Sequence, residues 1–369
     1  MARRNDGIGE EGELFATHIG GSALPEGVMM RGKLSWAAAV REPSGRIYVE
    51  EHELPAVGER PTWQRLPIVR GCVSFVESMV LSCRAMCVAS DHAYDDEGET
   101  YASLLASGRV APVSHADGRA EVGAEPADGG AAGSAAASAS VAASAPEPMS
   151  PAAMALSLGL GLLLGVALFM VVPVAVANLL VGDYAPSNAI AWNLVEALLR
   201  IVIFVAYIWA IGLMPDMRRL FGYHGAEHLT IHCFEHGLPL TPANAARFSR
   251  LHVRCGTAFL IMTMIVAILV NTLVPVAGWA EALGLGGVAR AAFVLASRLV
   301  LLPLVAGVSY EVTVKWAGAH PDLPLVRLAL WPGLQMQRLT TRVPDEGMLE
   351  CAIAAMERVR ATELAAGLE

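Results

Sequence analysis

The sequence predicts a mainly α-helical fold, a four-span membrane bundle with a small N-terminal β-rich module on its cytoplasmic side. Three observations predict it. Apolar residues make up 54% of the 369 and charged residues only 17%, against about 25% charge in an ordinary soluble domain. Four long segments carry few or no charged side chains. Ahead of them lie two short strand-like segments separated by a turn signal. Net charge is −9, which excludes the basic footprint of a nucleic-acid binder. The six cysteines are dispersed without a C-x-x-C pair, so neither a disulfide framework nor a zinc knuckle is expected.

Taken in order, residues 1–16 read as a polar disordered tail with no signal-peptide core. Residues 17–66 form the β-rich module, with strands at Trp36–Arg41 and Ile47–Leu54 around the turn Glu42-Pro43-Ser44-Gly45. Residues 67–89 are apolar except for Arg70, Glu77 and Arg84, which recur every seven residues. That spacing predicts an interfacial amphipathic helix in preference to a span. Residues 90–150 start acidic (Asp91, Asp95, Asp96, Glu97, Glu99) and pass into an Ala/Ser/Gly-rich run, a disordered linker.

The four spans follow at 152–181, 189–214, 257–279 and 288–310, each meeting the ~20 residues a bilayer requires. Pro173 is expected to kink the first. Glu196, Arg200 and Arg298 lie inside spans, where a charge needs a partner, and an ion pair of Glu196 with Arg200 or Arg298 is expected. Loops 182–188 and 280–287 carry no Lys or Arg, whereas 215–256 has Arg218, Arg219, Arg247, Arg250 and Arg254. The positive-inside rule therefore puts the 215–256 loop and both termini in the cytoplasm, with the bundle in the cell membrane. Residues 311–369 form a cytoplasmic tail ending in a helix over 344–360, whose apolar stripe is Leu349, Ile353, Met356 and Val359.

The chemistry concentrates in the 215–256 loop. His224, His228, His232 and His236 recur every four residues, so on a helix adjacent pairs share a face and can aim at one ion. His224-x-x-Glu227-His228 and His232-x-x-Glu235-His236 both match the H-x-x-E-H pattern, in which two histidines hold zinc and the glutamate takes a proton from bound water. Glu227 is the candidate general base. His252, Cys255 and Glu311 are the candidates to complete the ligand set. Gly225 is the awkward residue, since glycine costs ~1 kcal/mol in a helix interior.

These blocks resemble the YqhQ-like family of bacterial membrane proteins, described as predicted metal-dependent enzymes of unknown function. The blocks are Gly20–Ala23 with Glu26–Gly32, Arg70-Gly71 with Val76–Ser78, Tyr223–His228, Phe248–His252 with Arg254–Thr257, Pro303–Gly307 with Ser309–Glu311, and Gln337–Arg342. Ser22 and Leu229 stand where the family usually has glutamine and lysine. The resemblance implies a multi-pass membrane protein with a polar site at the cytoplasmic face. It also suggests that the N-terminal module, through Glu26 and Arg31, packs on that site.

The sequence reading is thus a membrane-embedded metalloenzyme, hydrolase-like, using a divalent metal, zinc ahead of iron. The alternatives are a non-catalytic assembly or regulatory protein with structural or metal-sensing histidines, and a di-iron oxidase resembling membrane desaturases. The lipid bilayer is the one partner named. No nucleic acid is expected, a homo-oligomer is an open option, and the substrate is unknown.

Overall fold

A computed structural model of the chain describes residues 17–55, 61–95, 97–110, 122–123, 151–252, 255–317 and 323–368. The expected tail 1–16 and the Gly129–Ala145 run of the expected linker lie outside these residues.

The N-terminal module is an antiparallel meander of β1 (Gly20–Leu24), β2 (Gly27–Arg31), β3 (Ser35–Arg41) and β4 (Ile47–Glu53), neighbours in chain order. Val122–Gly123 adds a short parallel pairing to β4. The expected turn joins β3 to β4, with Gly45 at φ 87°. Leu24 pairs with Gly27, which leaves Pro25-Glu26 as a two-residue turn. Glu26 sits there at φ 50°, a conformation that usually calls for glycine.

All seven residues of β3 are buried because both faces of the sheet are covered. Ala37 and Ala39 face a core shared with Tyr223, Leu349, Met356 and Val359. Trp36, Ala38 and Val40 face the opposite way, against Leu81, Ala85, Val88 and Ala89. A strand buried on both faces shows no polar alternation, which is why Trp36–Val40 is uninterruptedly apolar.

The chain is mainly helical. After α1 (Val69–His92) and α2 (Tyr101–Ala106), α3 (Pro151–Val166) and α4 (Val172–Val181) run together through a π-helical turn at Ala167–Val171. That turn sits just ahead of Pro173, whose missing N–H leaves the Phe169 carbonyl to accept from Arg200 Nε at 3.0 Å. Then come α5 (Ala189–Ile211), α6 (Pro215–Glu235), α7 (Pro242–Ala245), α8 (Gly256–Leu273), α9 (Val276–Ala282), α10 (Gly287–Tyr310), α11 (Pro324–Thr340) and α12 (Glu346–Ala365). The expected third span is broken at Val274-Pro275, where proline ends the ladder. The 215–256 region is largely the helix α6, and the tail contains a second helix, α11, that the sequence reading lacks. The C-terminal helix starts with Asp345 capping Met348 N–H at 2.8 Å and continues to Ala365.

Five helices among the described residues are long and apolar enough to cross a membrane, one more than expected: Val69–His92, Gly159–Val181, Ala189–Ile211, Met262–Ala282 and Gly287–Thr313. The addition is α1, because its four charges in 24 residues are spaced so that an 18-residue apolar window holds no more than two. Its packing differs from that of the other four. Its start lies against the end of α10, where a Cβ on Gly71 would meet Gly307 and Tyr310, and Arg70 pairs with Glu311. Its second half lies under the sheet, and Arg31 reaches Ser78 on it at 3.4 Å. Phe75, Val76, Met79, Val80 and Met86 are left exposed.

Inside the bundle the expected ion pair is a three-cornered one. Glu196 binds both Arg200 and Arg298, the latter at 3.1 Å, and Arg298 also reaches Asn193 at 3.1 Å.

Candidate metal centre

The α6 helix is specified at both ends. Pro215 and Asp216 occupy its first turn, where a missing N–H and a negative charge are favourable. Gly237, at φ 66°, follows its end. From Phe221 to Glu235 only His224 and His232 retain partial exposure. Three neighbours cause this burial: β1, the chain entering α12, and the segment ahead of α8.

β1 runs beside α6. Thr17 N–H donates to Glu235 at 3.0 Å, Gly21 N–H bonds Glu227, and Glu26 takes a bidentate pair from Arg219 at 2.6 Å. Four residues of extended chain rise ~14 Å and eight of helix ~12 Å, so the two stay in step. The Tyr223 hydroxyl donates to Glu26 as well, at 3.2 Å. These bonds hold Glu26 in its unusual backbone conformation. Arg31 goes elsewhere, to Ser78 and Glu77 of α1.

On the opposite side Arg342 N–H donates to Phe221 O at 2.7 Å. A Cβ at Gly225 would lie 2.0 Å from the Arg342 carbonyl oxygen. Glycine in this helix is therefore a packing requirement.

The histidines are oriented by main-chain carbonyls. His224 Nδ1 donates to Thr340 O at 2.8 Å, and His228 Nδ1 to Arg250 O at 2.5 Å. A carbonyl only accepts, so each ring carries its proton on Nδ1 and keeps its Nε2 lone pair. His224 Nε2 lies 3.2 Å from Cys255 Sγ. His228 Nε2 is buried with no hydrogen-bond partner. The ligand atoms of His224, His228 and Cys255 lie within 4.8 Å of one another. Two nitrogens and a thiolate, with a fourth position open, form a donor set that suits zinc.

A second trio, His232, Glu235 and His252, also meets within 4.8 Å. His232 Nε2 donates to Leu251 O at 3.0 Å, and the main chain of His252 is clamped by the buried Gln337 amide, with both bonds at 2.7 Å. The rings of His228 and His252 touch, at 5.6 Å between centroids.

Burial governs the electrostatics. It pushes the Glu227 carboxyl up to about 7, against the smaller downward pull of His224 and the Gly21 N–H. Glu227 Oε2 has no hydrogen-bond partner. Burial lowers His228, and with the charge of His252 it lowers His232 to about 4. Both rings are neutral at physiological pH, as metal ligation requires.

Of the residues singled out from sequence, His224, His228 and Cys255 come together, as do His232 and His252. Glu227 lies outside both trios and faces β1. His236 turns back onto His232 O at 2.7 Å and joins neither. Glu311 is engaged at the start of α1, with Arg70 and the Ile68 N–H. Glu235 stood in the second H-x-x-E-H copy as its glutamate, yet here it takes the ligand position expected of His236. Thr340, Arg250 and Leu251 contribute carbonyls, which leave no mark in a sequence. Gln337 lies in the Gln337–Arg342 block.

A family profile described as "Protein of unknown function (DUF1385)" matches residues 66–362. The chain belongs to this family. Within the range matched to DUF1385 lie α6, the segment ahead of α8, and α11, so both trios fall inside it. The sheet of residues 20–53 precedes it. The uncharacterized protein YqhQ of Bacillus subtilis (strain 168) is 34% identical over 194 residues, which are 52% of this chain and 56% of YqhQ. The chain thus spans about half the length of that relative. No solved structure matches.

Proposed function

We propose that this DUF1385 protein is a multi-pass membrane metalloenzyme of hydrolytic type, its centre formed by His224, His228 and Cys255. The observation that carries the reading is the shared orientation of the two rings. Each gives Nδ1–H to a main-chain carbonyl, which leaves Nε2 for an ion, and the buried Nε2 of His228 has no hydrogen-bond partner. A carbonyl behind a ligating histidine fixes its tautomer and raises its basicity. Zinc at such a three-ligand position supplies a water whose pKa falls to ~7. Glu227 packs against β1 but is within electrostatic range of His224, and in this reading it is the proton acceptor, its carboxyl titrating near neutrality with one oxygen unpartnered.

Of the five helices long and apolar enough to cross the bilayer, the four between Gly159 and Thr313 cross in this reading and α1 lies at the interface, with both termini and α6 on the cytoplasmic side. The arginines near α6, Arg218, Arg219, Arg247 and Arg250, support that side. α1 does not cross, because one end meets the end of α10 and the other the sheet packed on α6. Both contacts belong to the same side of the bundle.

The test is elemental analysis of the full chain purified in detergent. Wild type carries stoichiometric zinc, while His224→Ala and Cys255→Ser lose an equivalent. Wild type without metal overturns the reading, and stoichiometric iron moves it to an oxidase. Glu227→Gln keeps its metal and loses the in vivo phenotype of a deletion-complementation assay. An unchanged phenotype makes the centre non-catalytic.

A further inference from the structure

We propose that His232, Glu235 and His252 hold a second divalent cation, separate from the first, that pins the end of α6 to the chain entering α8. The proposal extends the reading of this region as a metal centre, but it draws on different residues.

The separation of the donors is the first argument. Glu235 Oε2 and His252 Nε2 stand 3.6 Å apart. That exceeds a hydrogen bond. It is close to the edge of a tetrahedron with ~2.1 Å metal–ligand bonds, about 3.4 Å. Two nitrogens and a carboxylate oxygen form a set that zinc takes readily, with one position left for water.

The second argument is support from behind. Thr17 N–H holds the other oxygen of Glu235 at 3.0 Å. His232 commits Nε2–H to Leu251 O, which leaves Nδ1 as its lone-pair nitrogen. Gln337 fixes His252 through both its N–H and its C=O. Outer contacts of this kind set ligand direction in metal sites. The donors arrive from two separate stretches, α6 and the segment before α8, and Glu235 and His252 are 7% and 4% exposed. Two imidazoles and a carboxylate buried together in this way are stabilised by a shared cation.

The third argument concerns independence. The trios share no ligand. They are adjacent, with the facing members His228 and His232 one turn apart, ~6 Å of helix rise, and the His228 and His252 rings 5.6 Å apart, but no described residue stands between them as a common ligand. A bridged pair of ions, with spacing near 3.5–4 Å, is not the arrangement this favours. The ion is structural, and it joins three strands of the fold: the N-terminal segment through Thr17, the end of α6, and the chain entering α8.

The experiment loads the full chain in detergent with zinc alone, removes excess, and counts ions by native mass spectrometry. Wild type holds two. His232→Ala/His252→Ala holds one, as does the milder Glu235→Gln if the double variant does not fold. His224→Ala/Cys255→Ser also holds one, and His236→Ala keeps two. Loading with cobalt identifies which ion remains: a sulfur-to-cobalt charge-transfer band persists in the His232/His252 variant and vanishes in the His224/Cys255 one. A wild type with a single ion, lost only with His224 and Cys255, overturns the second site and leaves the first. A single ion lost only with His232 and His252 does the reverse. A wild type with no ion overturns both.

Discussion

Gly225 shows how a residue that looks wrong in one dimension is required in three. From composition it only weakens a helix. In the fold the Arg342 carbonyl occupies the space a Cβ would need, at 2.0 Å. Gly225→Ala gains ~1 kcal/mol of helix propensity but forces the 340–344 segment away, an overpacking cost of about 1–3 kcal/mol or more. The expected outcome is a lower Tm in detergent and reduced metal content, since Thr340 O, which orients His224, belongs to the displaced chain. Glu227 allows a second test. Its folded pKa of about 7 against 4.5 means the folded state holds its proton more tightly, so stability falls as pH rises through that window. Above pH 7 the ionised carboxylate costs about 3 kcal/mol. Metal-free Glu227→Gln therefore melts several degrees above wild type at pH 8, and the two curves converge below pH 4.5. Equal Tm at pH 8 would rule the argument out. The clustering of the histidines was legible in the sequence, because four at helical spacing fall on adjacent faces of one helix. Their sorting into two trios was not, because it depends on which carbonyl each ring finds.

Among the elements, those with a strong local signal were legible. Strands β3 and β4 flank a Pro-Ser-Gly turn, and α12 shows both its cap and its stripe. α11 was not legible, since Pro332 and Gly333 inside it read as a break. Strands β1 and β2 both begin in glycine and are only five residues long, and pairing and the cover of α6 make them strands. The third span read as continuous because hydropathy does not register Pro275. The joint between β1 and α6 is testable. Glu26→Ala removes both Arg219 bonds and leaves the turn residue at positive φ with nothing holding it. Arg219 is one-third exposed, which moderates the cost; a loss of about 1–3 kcal/mol is expected. Glu26→Ala/Arg219→Ala should lose less than the sum of the two single changes in a thermal double-mutant cycle. Simple additivity would mean that the pair does not couple strand to helix.

At the scale of the molecule, apolar length alone does not determine which helices cross. α1 satisfies the length criterion, yet half of it supports the sheet. Cysteines introduced at Arg65 and Asp91, at the two ends of α1, should both react with an impermeant maleimide only after the membrane is opened to the cytoplasmic side. Labelling of one end from each side would make α1 a fifth crossing and reverse the placement of the sheet. Four of the five candidate spans were legible because each of those stretches carries at most two charges; the count itself fell one short. The interfacial reading of 67–89 rested on the seven-residue recurrence of Arg70, Glu77 and Arg84; that the second half of α1 covers one face of the sheet was not legible, because no local pattern marks it.

The doubly covered sheet sets a schedule for synthesis. Its strands, residues 20–53, leave the ribosome first, but α12, which closes one face, follows roughly 300 residues later. At ~5–20 residues per second that is a wait of roughly 15–60 s. Throughout it the apolar side chains Val28, Met30, Ala37 and Ala39 lack their final cover. The four apolar helices between Gly159 and Thr313 are synthesised during this interval, so on the proposed reading they would insert before the sheet can close. The histidines gain their backing carbonyls only when residues 340–342 arrive. On the proposed reading, metal loading would wait for these last residues, and a chain truncated before α11 would lack the carbonyl that orients His224.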